Sequence, residues 1–178
     1  MLRAGLALAA ALALPVSGCG WERLYADPQS SPAAAELRAI RVTPIIDRIG
    51  QQLEISLRDS LNPTGIPTHY RYTLSTALVY SLSSLGIQSQ GTASLGQIEV
   101  RTTSILGETS TGQNLLTISL HAQNSFELNP NQYSTVVAES DAGSRTVAEL
   151  NREIVTRLDI FLQHRLAERA AKTAAAVP

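Results

Sequence analysis

Residues 70–82 read YRYTLSTALVYSL, and this stretch decides the fold because large side chains recur there at every second position. Successive side chains of a β-strand point to opposite faces, so a period of two predicts a long, half-buried strand over 69–83. One face carries Tyr70, Tyr72, Leu74, Thr76, Leu78, Tyr80 and Leu82. The opposite face carries Arg71, Thr73, Ser75, Ala77, Val79 and Ser81. Apolar residues on one face and polar residues on the other are typical of an antiparallel sheet.

Two more strands are predicted downstream, and a weaker one upstream. Residues 98–106 alternate in the same way, and so do residues 116–126. The short turn at 111–114 between them predicts a hairpin. The Gly- and Ser-rich residues 83–96 are predicted to form a connection, and residues 37–42 show a weak strand pattern.

Two segments instead have the period of a helix. The first has an apolar stripe that starts at Ile45 or Ile46, continues every three or four residues to Leu61, and ends at Asn62-Pro63-Thr64-Gly65. The second is predicted from Tyr133 or Ser134 to about Ala170. The resulting order of elements predicts an α+β fold, with two helices packed on one face of a four-stranded, largely antiparallel sheet. We expect a single domain over residues 37–171.

The N-terminus has the pattern of a secretion signal. Arg3 precedes an apolar run of about a dozen residues, which is too short to span a bilayer as a helix. Residues 1–18 are therefore predicted to be a signal peptide. The run ends in Val16-Ser17-Gly18-Cys19, which resembles the lipobox of bacterial lipoproteins. An accidental cysteine beside an ordinary signal is the alternative.

The lipobox resemblance implies that the Cys19 thiol takes a diacylglycerol and its amine a further acyl chain such as palmitate. Cys19 is the only cysteine, so no disulfide within the chain is possible. Gly20 follows it, where Asp would resemble an inner-membrane retention signal, and this favours the outer membrane. We expect residues 19–36 to be the lipidated N-terminus and a tether, and residues 172–178 to be a flexible tail.

Composition and motifs point away from nucleic-acid binding and catalysis. The formal net charge of −1 leaves no basic excess to neutralise phosphates. The three histidines, His69, His121 and His164, lack the spacing of a metal site, and no serine lies in a nucleophile motif. Glu139, Asp141 and Arg145 are interpreted as charges that stabilise a helix rather than as acid/base groups. We therefore expect no enzymatic activity, no cofactor and no metal.

The polar face of the predicted sheet is the candidate site. Arg71 and Arg101 lie on it, together with small polar residues and His121, and two guanidinium groups could bind the phosphates of an anionic lipid or contact a barrel. The alternative for each arginine is pairing with a carboxylate such as Glu99, or solvation. The face as a whole could be solvated, or could lie against another polar wall such as the lumen of a barrel.

Several segments together resemble the lipopolysaccharide-assembly lipoprotein family LptE, in its alphaproteobacterial branch. They are the start Cys19-Gly20-Trp21-Glu22-Arg23-Leu24-Tyr25, the helix segment 45–53, the stop 62–65, and Tyr133 with 138–142 and Arg145. The resemblance implies an outer-membrane protein that plugs the LptD barrel, helps it to assemble and assists lipopolysaccharide insertion. This chain lacks Lys and Arg from Tyr72 to Val100, which argues against lipopolysaccharide contact there.

Two other functions remain open from the sequence. A stand-alone lipoprotein could bind lipid or another small ligand in a pocket between the sheet and the helices. A hydrolase is the third possibility, which an active-site serine probe would reveal.

Overall fold

The computed structural model describes residues 32–87 and 93–175. The signal peptide, Cys19 and the tether up to residue 31 lie outside the described residues. The elements are α1 (Pro32–Arg38), β1 (Ile40–Val42), α2 (Arg48–Leu61), β2 (Tyr72–Ile87), β3 (Ala93–Glu108), β4 (Asn114–Glu127) and α3 (Gln132–Ala175). None of the described helices is long and apolar enough to cross a membrane.

The four strands form one mixed sheet in the order β1-β2-β3-β4. The pairs β2–β3 and β3–β4 are antiparallel, whereas the three-residue strand β1 runs parallel to β2. The helices pack against the sheet, which confirms the predicted α+β class. The described part of the chain contains a third helix, α1, that the sequence pattern did not predict.

The core lies between the helices and one face of the sheet. The residues at even positions of β2, β3 and β4 face it, as the alternation in the sequence predicted. Its largest fully buried side chains are Tyr72, Ile40, Leu53, Leu57, Leu61, Leu74, Ile98, Leu106, Leu150, Ile154, Leu158 and Leu162. The core therefore lies under the middle of the sheet and leaves the far end of the β2–β3 hairpin without it.

Helix α2 begins three residues after the first apolar residue of its predicted stripe. Pro44 precedes it, and Asp47 has a positive φ of 76°, so regular helical geometry starts only at Arg48. Ile45 is still buried, because it packs against Gly50. At the other end, Asn62 donates from Nδ2 to the carbonyl oxygen of Ile40 over 2.9 Å, which fixes the helix end to β1.

Helix α3 has 44 residues and is long enough to cross the whole sheet. Gly143 does not interrupt it, because this glycine is buried against α2, where a Cβ atom would meet Ile49 Cδ1 at 3.2 Å. The small residue thus lets the two helices approach closely. In the residues after Arg165 the helix extends beyond the core, and residues 167–175 are exposed.

Three boundaries differ from the sequence prediction. Residues 32–36, assigned to the tether, form most of α1, because alanines favour a helix and Ala33 and Ala34 are buried. The connection predicted at 83–96 is much shorter, since β2 continues to Ile87 and β3 begins at Ala93. The predicted flexible tail from Lys172 is helical up to Ala175, as an Ala-rich segment can be.

Candidate interaction surface

The sheet face turned away from the helices is exposed and mostly uncharged. Ser75, Thr103, Ser119, His121 and Gln123 are all exposed on it, at the odd positions that the alternation assigns to this face. Their side chains are short or neutral, so the surface is polar without a strong field. The middle of this face is able to form hydrogen bonds with another polar surface over a wide area.

The two arginines predicted as a site lie far apart on the sheet. Arg101 pairs with Val79 in the β2–β3 register, eight positions from Arg71, which corresponds to roughly 27 Å along a strand. Arg101 donates from Nε to Glu99 Oε1 over 2.7 Å, the pairing that the sequence left open as an alternative. Arg71 forms an ion pair with Glu36 of α1. The two guanidinium groups therefore cannot bind one phosphate together.

Arg71 belongs to a polar cluster at the end of the sheet next to α1. Arg165 of α3 lies over the ring of Tyr72, 5.8 Å from its centroid, and also contacts Glu108 Oε1 at 3.1 Å. Burial, followed by the nearby Glu36 carboxylate, raises the pKa of Tyr72 above its ordinary value. The cluster connects α1, β2, β3 and α3, and its contacts are internal to the fold.

Glu108 in this cluster accepts a hydrogen bond from Thr111 Oγ1 over 2.9 Å. That bond, followed by the nearby Arg165 and Arg169 guanidinium groups, lowers the pKa of Glu108 below its ordinary value, although partial burial opposes the shift.

An open cleft of about 690 Å³ lies at the other end of the molecule, between the start of α2, the start of α3 and β2. Apolar side chains line part of it, and Asp47, Arg48 and Glu139 surround the opening. Tyr80 crosses the cleft and donates from its hydroxyl to Glu139 Oε1 over 3.3 Å. Burial, with Glu139 as the second cause, raises the pKa of Tyr80. The cleft is amphipathic and could take an apolar group with a polar end.

The other singled-out polar residues are not brought together. Asp141 pairs with Arg145 one helical turn later, as the sequence indicated, and Glu139 is the partner of Tyr80. His121 is on the outer sheet face, His164 lies 3.4 Å from Glu168, and His69 is in the loop before β2. Within residues 32–87 and 93–175, no group of three or more His, Cys, Asp or Glu side chains could hold a metal ion.

The sequence analysis missed a set of exposed leucines near the end of the β2–β3 hairpin. Leu82 is 52% exposed on the face that elsewhere carries the core, whereas Leu85 and Leu95 pair across the strands on the opposite face. The period-two pattern predicts Leu82 on the half-buried face of the strand, but the serines and glycines that follow it predict a connection. At these leucines, strands β2 and β3 are paired with each other but are not covered by the helices.

Comparison with known proteins gives matches in structure only. No family model matches the sequence, and no curated protein matches it. A protein of Caulobacter crescentus CB15, provisionally assigned as a lipoprotein, is similar over 76% of this chain and 98% of its own, with a TM-score of 0.63 and 17% identity.

Two further lipoprotein structures are more distant. The minor lipoprotein of Acinetobacter baumannii has a TM-score of 0.48 and 14% identity, and the match covers 68% of this chain and 91% of that one. Rare lipoprotein B of Shewanella oneidensis has a TM-score of 0.42 and 9% identity, and the match covers 75% of this chain and 96% of that one. The chain thus shares the fold of the Caulobacter protein, and at these identities the likeness shows the fold alone.

Proposed function

We propose that this chain is an outer-membrane lipoprotein, anchored through Cys19, that plugs an LptD-like barrel, helps it to assemble and supports lipopolysaccharide transport. The observation that carries the proposal is the outer sheet face, which is broad, polar and nearly free of unpaired charge. The lumen of an outer-membrane barrel is polar, so its natural complement is a polar surface. The proposal needs no catalytic residue in this chain.

Pairing of the two arginines makes this face suitable for burial. Moving an isolated charge out of water against another surface costs several kcal/mol of desolvation free energy. The cost is smaller for a charge that keeps its ion-pair partner. Arg101 remains beside Glu99 and Arg71 beside Glu36, so the face can dock without leaving a lone cation buried. Small hydroxyl side chains can exchange their water for hydrogen bonds to the wall of a barrel.

Two further observations support the proposal. The chain shares the fold of the Caulobacter protein assigned provisionally as a lipoprotein, which supports an envelope protein with a lipid anchor. The order of the segments 19–25, 45–53 and 133–145 resembles the LptE family, which supports the barrel partner. Cys19 would then hold the domain at the membrane through several acyl chains, each buried methylene contributing about 0.8 kcal/mol.

Co-purification tests the partner directly. The tagged full chain is extracted from membranes in mild detergent, and we expect a large outer-membrane barrel in the eluate, identified by mass spectrometry. Cys19→Ala should lose the membrane anchor and lower the barrel yield. Recovery of the wild-type chain free of any barrel would contradict the proposal.

A pair of matched variants tests the outer face. Thr103→Lys places an unpaired cation in the middle of that face, and Thr156→Lys places the same cation on the exposed side of α3. We expect Thr103→Lys to reduce the co-purified barrel about tenfold or more, because a buried unpaired charge costs more than the ~1.4 kcal/mol of a tenfold change. Thr156→Lys should leave it unchanged. Equal effects of the two variants would exclude the outer face as the docking surface.

The cleft favours a second candidate, a stand-alone lipoprotein that binds a lipid or another small amphiphile. Its volume falls within the range of small-molecule sites, and it combines an apolar lining with polar groups at the opening. Native mass spectrometry of the purified chain would then show a bound lipid. Loss of that lipid on Leu78→Lys, with barrel co-purification absent in the wild type, would favour this candidate over the plug.

A further inference from the structure

Cationic side chains are concentrated at one end of the molecule, where α1, the start of β2, the end of β3 and the last part of α3 meet. The ion pairs of Arg71 with Glu36 and of Arg165 with Glu108 join these elements. Six basic residues and three carboxylates belong to this end, namely Arg38, Arg41, Arg71, Arg165, Arg169 and Lys172 with Glu36, Glu108 and Glu168. We call it the basic end, and its formal charge is +3.

The rest of the described chain carries the opposite charge. Outside the basic end, residues 32–87 and 93–175 contain six arginines and ten carboxylates, which gives a formal charge of −4. Four of these arginines form an ion pair with a carboxylate close by in the sequence, namely Arg58, Arg101, Arg145 and Arg157. The small net charge of the chain is therefore the sum of two regions of opposite sign.

The dipole of helix α3 does not account for all of these cations. Cations in the last turns of a helix are favoured by its dipole, which explains Lys172. Arg41 is in β1 and Arg71 directly precedes β2, so the helix dipole does not require them. Both are exposed, and the side chain of Arg71 is 66% exposed despite its ion pair. The basic end thus presents cations from three parts of the chain to its surroundings.

An aromatic and an apolar side chain accompany the cations. The guanidinium group of Arg41 lies 5.1 Å from the centroid of the Tyr70 ring and donates from Nη1 to the Tyr70 hydroxyl over 3.0 Å. Ile66 is 64% exposed in the loop that joins α2 to β2. That loop ends at Arg71, whose backbone N–H donates to the Ala39 carbonyl oxygen over 2.9 Å, next to β1. Cations beside a tyrosine and an exposed apolar side chain are typical of a surface that lies against lipid headgroups.

We propose that the basic end docks on the anionic phospholipid headgroups of the membrane that holds Cys19, an inference that rests on the lipid anchor of the proposed function. Twelve residues separate Cys19 from Pro32, the first residue of α1, and they span at most about 45 Å. Helix α1 is part of the basic end, so the anchor keeps this end near the membrane. The hairpin end lies farther away, because β2 is about 53 Å long.

Charge attraction is sufficient for this contact because the anchor keeps the headgroups at a high local concentration. Each Lys or Arg near an anionic lipid surface strengthens binding about fivefold, so a charge of +3 corresponds to roughly a hundredfold. The remainder of the domain is negative and is repelled by the same surface. The two effects orient the basic end toward the headgroups. The middle of the outer sheet face is not part of the basic end and stays available to a barrel.

Vesicle flotation measures the headgroup contact without the anchor. The mature chain, residues 19–178, is prepared with Cys19→Ala, so that no acyl chain holds it and the result does not depend on a barrel. We expect it to float with vesicles made of equal parts of phosphatidylglycerol and phosphatidylcholine, and not with vesicles of phosphatidylcholine alone. Added salt should release it, because attraction between exposed charges is screened beyond about 10 Å at 0.1 M salt.

Two variants of α3 locate the contact. Arg169→Glu and Arg152→Glu both change exposed arginines of the same helix, and the two chains have the same net charge. The positions are about 26 Å apart along the helix, well beyond the screening length. We expect Arg169→Glu to weaken binding to the mixed vesicles roughly tenfold or more, because it removes a cation and adds an anion. Arg152→Glu should have little effect.

Several outcomes of the flotation experiment would overturn the proposal. They are no binding to the mixed vesicles, equal binding to phosphatidylcholine alone, and equal weakening by the two variants. Binding to phosphatidylcholine vesicles that contain lipopolysaccharide, without binding to those that contain phosphatidylglycerol, would overturn it as well. A wild-type chain without acyl groups, measured by mass spectrometry, would instead contradict the anchor of the proposed function, so the two failures are distinguishable.

The lipidated chain allows a second test of the orientation, because Lys172 is its only lysine. The chain is reconstituted in the same two kinds of vesicle, treated with an amine-reactive reagent that does not cross membranes, and digested for mass spectrometry. We expect Lys172 to be labelled several-fold more slowly on the vesicles with phosphatidylglycerol. Thr156→Lys supplies a control lysine about 24 Å away on the exposed side of α3, which should be labelled at the same rate on both. Equal labelling rates of Lys172 on both kinds of vesicle, or equal slowing at both lysines, would overturn the proposal.

Discussion

Glu108 links the end of β3 to the last third of α3 through its ion pair with Arg165. It accepts hydrogen bonds from Thr111 and Arg165, and these partners lower its pKa in the folded chain. A carboxyl group whose folded pKa is lowered stabilises the fold above its unfolded pKa, about 4.3 for glutamate. That contribution is lost as the pH falls through this value and through the lowered folded value.

We therefore expect Glu108→Gln to destabilise the chain near pH 7 and to have little effect near pH 3. The measurement is the free energy of unfolding from urea titrations of both chains at several pH values. Glu149→Gln, an exposed change on α3, provides the control and should give parallel curves. If the difference in the free energy of unfolding between the wild type and Glu108→Gln were as large at pH 3 as at pH 7, this role of Glu108 would be contradicted.

At the scale of the elements, Asn62 joins the end of α2 to β1. Its Nδ2 donates to the Ile40 carbonyl oxygen, and both the side chain and that strand residue are buried. Asn62→Ala leaves the carbonyl without this partner, so we expect a loss of about 1–3 kcal/mol in the free energy of unfolding. Asn151→Ala removes an exposed hydrogen bond to Ser60 and should change the free energy of unfolding by at most about 0.5 kcal/mol. Thermal or urea unfolding of the two variants measures these changes. Equal losses of unfolding free energy in both variants would exclude this role for Asn62.

The elements also show which parts of the fold the sequence patterns can predict. The alternation over 70–82 and the helical stripe from Ile49 to Leu61 predicted β2 and α2. One face of α2 is buried along its length, and the first half of β2 is buried on the face that carries Tyr72, Leu74 and Thr76. The sequence predicts a connection over 83–96 because its serines and glycines have weak strand propensity, but pairing between β2 and β3 overrides this propensity. Helix α1 is only seven residues long, and its stability comes from packing that no local pattern reveals.

The arrangement of the candidate site could not be predicted from the sequence. The period of two predicts Arg71 and Arg101 on one face of the sheet, but Arg71 lies just before β2 and pairs with Glu36 of α1. The distance between them, and the pairing of Arg71 with Glu36, depend on the register of β2 with β3 and on where α1 packs. The pairing of β1 with only three residues of β2 is likewise not defined by the weak pattern over 37–42.

For the whole molecule, the two candidate functions use different surfaces. The outer sheet face is turned away from the helices, whereas the cleft lies between β2 and the starts of α2 and α3. A chain that docks through the outer face therefore leaves the cleft free, and a chain that binds a lipid in the cleft leaves the outer face free.

This separation gives a prediction that distinguishes the two functions. Thr103→Lys should lower the co-purified barrel and leave any lipid bound in the cleft unchanged, whereas Leu78→Lys should remove that lipid and leave the barrel yield unchanged. Co-purification of the barrel and native mass spectrometry of the same preparations measure the two effects. A Leu78→Lys chain that loses the barrel as strongly as Thr103→Lys does would show that the cleft takes part in the barrel contact.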